Sequence, residues 1–231
     1  MTKPKTARRE SPVGRRRGGT ESLGREQLLD AAVVVFAERG IGNTTVAQIA
    51  RAGRVTSAMV HYWFDNRERL LDAVVDERLA PLITRIWDLP SGQQETPLEV
   101  IRGLVVRMLD VTEQVPWLPA LWLKEIIQEG GLLRERVFKY IPRERNADFR
   151  RSVQRAQQRG EINREVNPDL LFISILGLVM LPMAASKGWQ RYNPGGNLDR
   201  AQLEQHVVSL MMHGLAESAP KRQARARAIG E

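Results

Sequence analysis

From Gly24 to Gly40 the apolar side chains Leu28, Ala32, Val35 and Phe36 recur on one helical face, while Glu26, Asp30 and Arg39 fall elsewhere. The pattern predicts an amphipathic helix ending at Gly40, a residue suited to the left-handed turn that follows a helix. Thr45 with Gln48 three residues later is a capping-box pair, and Val46, Ile49 and Ala50 supply the buried stripe of a short second helix. After a break near Gly53 and Arg54, Thr56 can cap a third short helix through Met59, Val60, Tyr62 and Trp63. Asp65 with Glu68 opens a fourth, carrying Leu70, Leu71, Val74, Val75 and Leu79, which Pro81 either ends or bends. Two short helices joined by a tight turn and braced by longer ones predict a helix-turn-helix domain of about 60 residues.

The remainder reads as helical too, without period-two strands or an internal repeat, so the fold class is all-α. Val100, Leu104 and Met108 mark one helix, Trp117 to Glu129 a second and Leu132 to Tyr140 a short third. Arg143 to Arg159 is strongly charged, with Phe149, Val153 and Ala156 as a narrow apolar stripe. Asn167-Pro168 places proline at an allowed helix start before Leu170 to Lys187; a loop over Gly188 to Gly196 and a last helix from about Leu198 to Ala216 follow. The expected organisation is a disordered arm over 1–20, the helix-turn-helix domain over 21–80, a larger helical domain over 82–219 and a disordered tail over 220–231.

Charge changes this picture in one respect. The formal net charge is +8, but residues 1–20 hold seven basic side chains against Glu10, and residues 220–231 hold four against Glu231. The residues between carry 24 basic side chains against 25 acidic ones, so a nucleic-acid role must rest on a docking element plus a basic arm. Arg8, Arg9 and Arg15 to Arg17 either track phosphates or enter a minor groove, or they only keep the leader soluble. With no cysteine and three scattered histidines (His61, His206, His213), no metal or disulfide site is expected. No nucleophile-base pair, phosphate loop or other catalytic grouping stands out, so no catalytic residue and no cofactor is assigned. The start of the chain lacks the apolar segment of a secretory signal, and the apolar run Leu170 to Ala185, interrupted by Pro182, falls short of the roughly 20 residues of a membrane span. A cytoplasmic protein without a membrane partner is expected.

The stretch Thr44-Thr45-Val46-Ala47-Gln48-Ile49-Ala50, a turn, Val55 to Phe64, and Asn66-Arg67-Glu68-Arg69-Leu70 resembles the TetR/AcrR family of bacterial transcriptional regulators in order and spacing, over about residues 25 to 75. Thr45 corresponds to the threonine opening the second helix, Val55-Thr56 to the usual valine-serine, Val60 to the buried aliphatic and Phe64 to the closing aromatic. Gly53 stands where the family has alanine, and Arg54 where it has the turn glycine. His61 takes the place of a common tyrosine that faces the DNA backbone. The N-terminal end of a recognition helix is what approaches base edges in a major groove, so Thr56, Ser57 and Ala58 are the candidates for reading sequence. Thr45, Arg54, His61, Tyr62 and Arg67 are the candidates for anchoring to DNA. Trp63 and Phe64 are expected in the core, and Tyr62 is divided evenly between core and DNA.

The resemblance implies a homodimer on a palindromic double-stranded DNA operator, most often repressing, with a small-molecule effector bound in the larger domain. Residues Leu170 to Leu181 are apolar nearly all round their helix, more than one core face needs. Leu171, Ile175, Leu178 and Val179, with Leu203, Val207, Leu210 and Met211 of the last helix, are the dimer-interface candidates. Met108, Trp117, Trp122, Phe138, Met180, Met183 and Trp189 are the candidates for lining a pocket for a hydrophobic effector. Lys124, Glu125 and Glu129 interrupt an otherwise apolar segment, with no indication of the direction they face. A helical interaction or nucleoid-associated protein that binds DNA without regard to sequence is the competing reading.

Overall fold

In the computed structural model the described residues are 17–88, 96–195 and 199–216; the tail 220–231 and most of the arm lie outside them. The all-α expectation holds. The described elements are α1 (Arg17–Arg39), α2 (Val46–Ala52), α3 (Ser57–Phe64), α4 (Arg67–Val74), α5 (Ala80–Trp87), α6 (Pro97–Gln114), α7 (Leu118–Trp122), α8 (Arg134–Phe138), α9 (Arg143–Gln158), α10 (Pro168–Tyr192) and α11 (Arg200–Leu215). Helix α1 starts at Arg17, inside the segment expected to be arm, because backbone bonding can extend a helix beyond the residues that need burial.

Local signals set the first helices. Gly40 takes φ +79°, and its N–H returns to the Phe36 carbonyl at 2.9 Å, ending α1. The capping box before α2 is complete: the Gln48 N–H donates to the Thr45 hydroxyl at 3.3 Å and the Thr45 N–H to the Gln48 side chain at 2.8 Å. The start of α4 differs from the expected Asp65–Glu68 pair. Asp65 adopts φ +61°, and Asn66 caps the helix by accepting the Arg69 N–H at 3.0 Å.

Pro81 does not end the fourth helix. A π-helical turn, Val75–Leu79, carries the chain into α5, with the Ala80 N–H donating to the Val75 carbonyl. Proline has no N–H for the Glu77 carbonyl, which accepts from Arg78 Nη1 at 3.3 Å instead. The turn is also pinned to α1. Arg25 grips the Glu77 carboxylate at 2.7 and 2.5 Å, and that hydrogen bonding holds the Glu77 carboxyl below its usual range. Arg78 reaches Glu26 and Asp30, each at 2.6 Å. Nor is the interior divided at residue 81: Phe36, Leu71 and Leu79 share one buried cluster with Met108, Leu121 and Ile126.

Helix α10 runs through Pro182 and continues to Tyr192, converting half of the expected loop into helix. One missing backbone bond is outweighed by the packing of its flanks. By length and composition Pro168–Ser186 could cross a membrane, which the 16-residue apolar run did not suggest. Here, however, Leu171, Ile175 and Val179 are buried, and α10 packs on α6 and α7.

Candidate nucleic-acid interface

Helix α3 is amphipathic in the sense that a reading helix requires. Val60 and Phe64 are buried, and Trp63 lies partly covered against α1, where a Cβ on Gly24 would stand 3.0 Å from its ring. The opposite face presents Ser57, Ala58, His61 and Tyr62 to solvent, Tyr62 being 72% exposed. Exposure decides the even division over Tyr62 against the core. Thr56 caps the helix by accepting the Met59 N–H at 3.3 Å, so its hydroxyl already has one fixed partner at the tip of the reading end. His61 Nδ1 lies 3.2 Å from the Asp65 carbonyl, which orients the ring along the exposed face. Thr45 is exposed at the start of α2.

The departures in the turn now have a physical reason. A Cβ at Gly53 would lie 2.8 Å from Leu28 Cδ1 and 3.2 Å from Leu28 Cα, so glycine is required there for the approach of the turn to α1. Gly53 itself has an ordinary φ of −77°. The left-handed conformation falls to Arg54, at φ +56°, with an exposed side chain. Arg51, one turn earlier on α2, is exposed as well and was missed in the sequence because a lone basic residue in a helix carries no motif. Among the described residues neither Arg51 nor Arg54 forms an ion pair.

Arg67 departs from its expected role. Its guanidinium points inward and donates to the Thr44 carbonyl at 2.7 Å and to the Ile41 carbonyl, tying the start of α4 to the loop before α2. It is therefore a brace rather than a free cation on the reading face. Arg67→Ala should weaken duplex binding severalfold by loosening that loop, with the slope of log affinity against log salt unchanged. A slope shallower by about 0.9 would instead mark a direct phosphate contact.

The larger domain corrects two further assignments. Of the dimer-interface candidates, Leu171, Ile175, Val179, Leu203, Val207 and Met211 are buried within the chain itself and Leu178 is half-buried, while Leu210 is exposed. The free apolar face of α10 is the complementary one: Leu170, Ile173, Gly177 and Leu181, with Leu210 on α11. A helix apolar all round does not encode which side its own chain will cover. Of the pocket candidates, Met108, Trp122 and Met180 are buried, and Trp117 and Met183 are half-buried against the same core. Phe138 and Trp189 are not inside: Phe138 lies beneath Arg134, 5.5 Å from its ring centre, and Trp189 leans on Tyr192. Both sit near helix ends, where an aromatic can remain half in solvent. Trp122 Nε1 is buried without a hydrogen-bond partner.

Residues 28–74 match the model of a family described as bacterial regulatory proteins, tetR family. The HTH-type transcriptional repressor KstR2 of Mycolicibacterium smegmatis is 24% identical over 200 residues, spanning 87% of this chain and 94% of that protein. The structure of the ketosteroid transcriptional regulator KstR2 of Mycobacterium tuberculosis is similar, with a TM-score of 0.63 and 24% identity over 84% of this chain and 95% of that one. AibR, solved in complex with isovaleryl coenzyme A and operator DNA, has a TM-score of 0.61 and 24% identity over 81% and 97% of the two chains. The whole-chain likenesses carry the fold, and the family match covers the reading head.

Proposed function

The chain is a helix-turn-helix regulator of the TetR family, and on that premise we propose that it is a homodimeric, ligand-responsive repressor acting on a palindromic operator in the cytoplasm. The observation that carries DNA readout is the outward face of α3, where Ser57 and Ala58 sit at the reading end and His61 and Tyr62 follow. Short side chains let the helix tip approach base edges, and the larger polar ones reach the phosphates beside them. Arg51 and Arg54 extend the same surface, and the basic residues of the arm supply further phosphate neutralisation.

Dimerisation is supported by the exposed apolar face of α10 and α11, which would complete a four-helix interface across a two-fold axis. Two recognition helices would then enter major grooves about 34–36 Å apart. The effector is a largely apolar molecule bearing a hydrogen-bond acceptor: Met108 and Met180 supply adaptable apolar walls, and Trp122 Nε1 is a buried donor awaiting an acceptor. The names of the similar proteins point the same way, since a ketosteroid and an acyl thioester each combine an apolar body with a carbonyl. An effector acts by preferring the dimer whose helix separation does not fit the operator.

Selection from random duplex DNA with the purified chain tests the reading. The expected result is an enriched palindrome, bound at least about 10³-fold more tightly than unrelated duplex at fixed salt. Tight, salt-sensitive binding with no enriched sequence would replace it with sequence-blind DNA binding.

A further inference from the structure

The stretch after α7 turns two charged side chains toward the reading head. Leu123–Ile127 is a π-helical turn, an irregularity that often marks a functional position in a helix. Lys124 Nζ donates to the Ala37 carbonyl at 2.7 Å and to the Glu38 carbonyl at 2.8 Å, satisfying backbone acceptors at the C-terminus of α1 and complementing the helix dipole. Glu125 is buried; one carboxyl oxygen accepts the Ile41 N–H at 2.7 Å and the other the Leu132 N–H at 3.3 Å.

These bonds hold the segment on which the geometry of α2 depends. Ile41 and Thr44 are also the residues whose carbonyls Arg67 grips, and Thr45 begins the capping box of α2 immediately afterwards. Two glycines make the fit possible. A Cβ on Gly40 would stand 3.3 Å from Glu125 Oε1, and one on Gly131 would overlap the Glu125 backbone. Further along, Arg136 pairs with Asp72 at 2.7 Å and with Glu68, and Tyr140 donates to Asp76 at 2.5 Å, so α4 is held from the same side.

We infer that Lys124 and Glu125 are positioning residues that set the angle of the reading head on the body. Separating the two parts would leave a buried carboxyl without its amide donors, which favours discrete held and released arrangements over gradual drift. Trp122, with its unpartnered indole N–H, immediately precedes the π turn, so whatever engages that donor acts on the residues that hold the head. The consequence for operator binding rests on the function proposed above.

The chain contains no cysteine, so a spin-label pair is introduced cleanly as Ala52→Cys on α2 and Arg155→Cys on α9, both exposed. The labelled chain is diluted with excess unlabelled chain, so that only distances within one protomer are read. A narrow distribution is expected, broadened or displaced by Lys124→Met and restored by Lys124→Arg, whose guanidinium can donate to the same carbonyls. Lys124 is exposed, so this variant should keep its helical content and melting transition; Glu125→Gln is the second variant. If a tenth of the population retains the competent angle, unlabelled Lys124→Met should bind the enriched duplex about tenfold more weakly. Distributions as narrow as the native one in both variants would overturn the inference. A broadened distribution with unchanged duplex affinity would overturn its bearing on DNA binding. Failure to enrich any duplex would count against the proposed function alone, because the distance measurement uses no DNA.

Discussion

Gly53→Ala should destabilise the chain by about 1–3 kcal/mol, the usual range for overfilling a packed site, whereas Arg54→Gly should stabilise it and weaken its hold on DNA. The added Cβ at position 53 meets Leu28 at both its side chain and its backbone, and Leu28 is fully buried, with no alternative position for its methyl group. Helix α2 must then lift from α1, and the turn and α3 move with it. At position 54 the left-handed backbone costs an L residue roughly 1–2 kcal/mol, and glycine removes that strain. Glycine also frees the unfolded chain, by about 0.4–1 kcal/mol, so the net gain should be about 0.5–1 kcal/mol. Losing the guanidinium removes one phosphate neutralisation, which should make the salt slope shallower by about 0.9. Chemical denaturation and a salt titration on the enriched duplex read both effects. Unchanged stability in Gly53→Ala would contradict the close approach, and an unchanged slope in Arg54→Gly would remove Arg54 from the interface.

Gly131→Ala should be more damaging, at about 3 kcal/mol, the upper part of the range for forced overlap. A Cβ there would stand 2.5 Å from the Glu125 carbonyl carbon and 3.1 Å from the Gln128 oxygen, both backbone atoms that cannot rotate away. Relieving the clash opens the turn whose Leu132 and Leu133 amides donate to Glu125, at 3.3 Å to its side chain and 3.1 Å to its carbonyl. The melting temperature should fall by about 6–12 °C for a chain of this size. Gly130 supplies the control. It has open space around it but φ +82°, so alanine there should cost only the backbone strain, roughly 1–2 kcal/mol. Equal losses at the two positions would show that crowding against Glu125 is not what makes position 131 special.

The two positions differ in how far the sequence reveals them. Gly53 stands out as a departure from the family pattern, but the pattern does not show that the cause lies in Leu28, 25 positions earlier. Gly131 gives no signal at all, because neither the Glu125 carbonyl beside it nor the amides it orients can be read from composition or spacing. The exposed side of α3, by contrast, follows from the alternation of Val60 and Phe64 with Ser57, Ala58, His61 and Tyr62, and the structure leaves that division unchanged.

What the sequence determined by itself is what residues three or four positions apart settle between themselves. That includes the stop at Gly40, the Thr45–Gln48 box, the Thr56 cap, the all-helical character and the reading face. Even here near neighbours can compete, and Asn66 displaced Asp65 as the cap of α4. Only the tertiary structure decided which apolar side of α10 the chain buries, that Arg67 turns inward, that the π turn after Leu123 reaches α1, and that Phe138 and Trp189 stay outside. Each depends on how helices distant in sequence cross. A helix apolar all round offers several sides of nearly equal burial energy, and a charged side chain turns inward only where another segment has left carbonyls or amides unpaired.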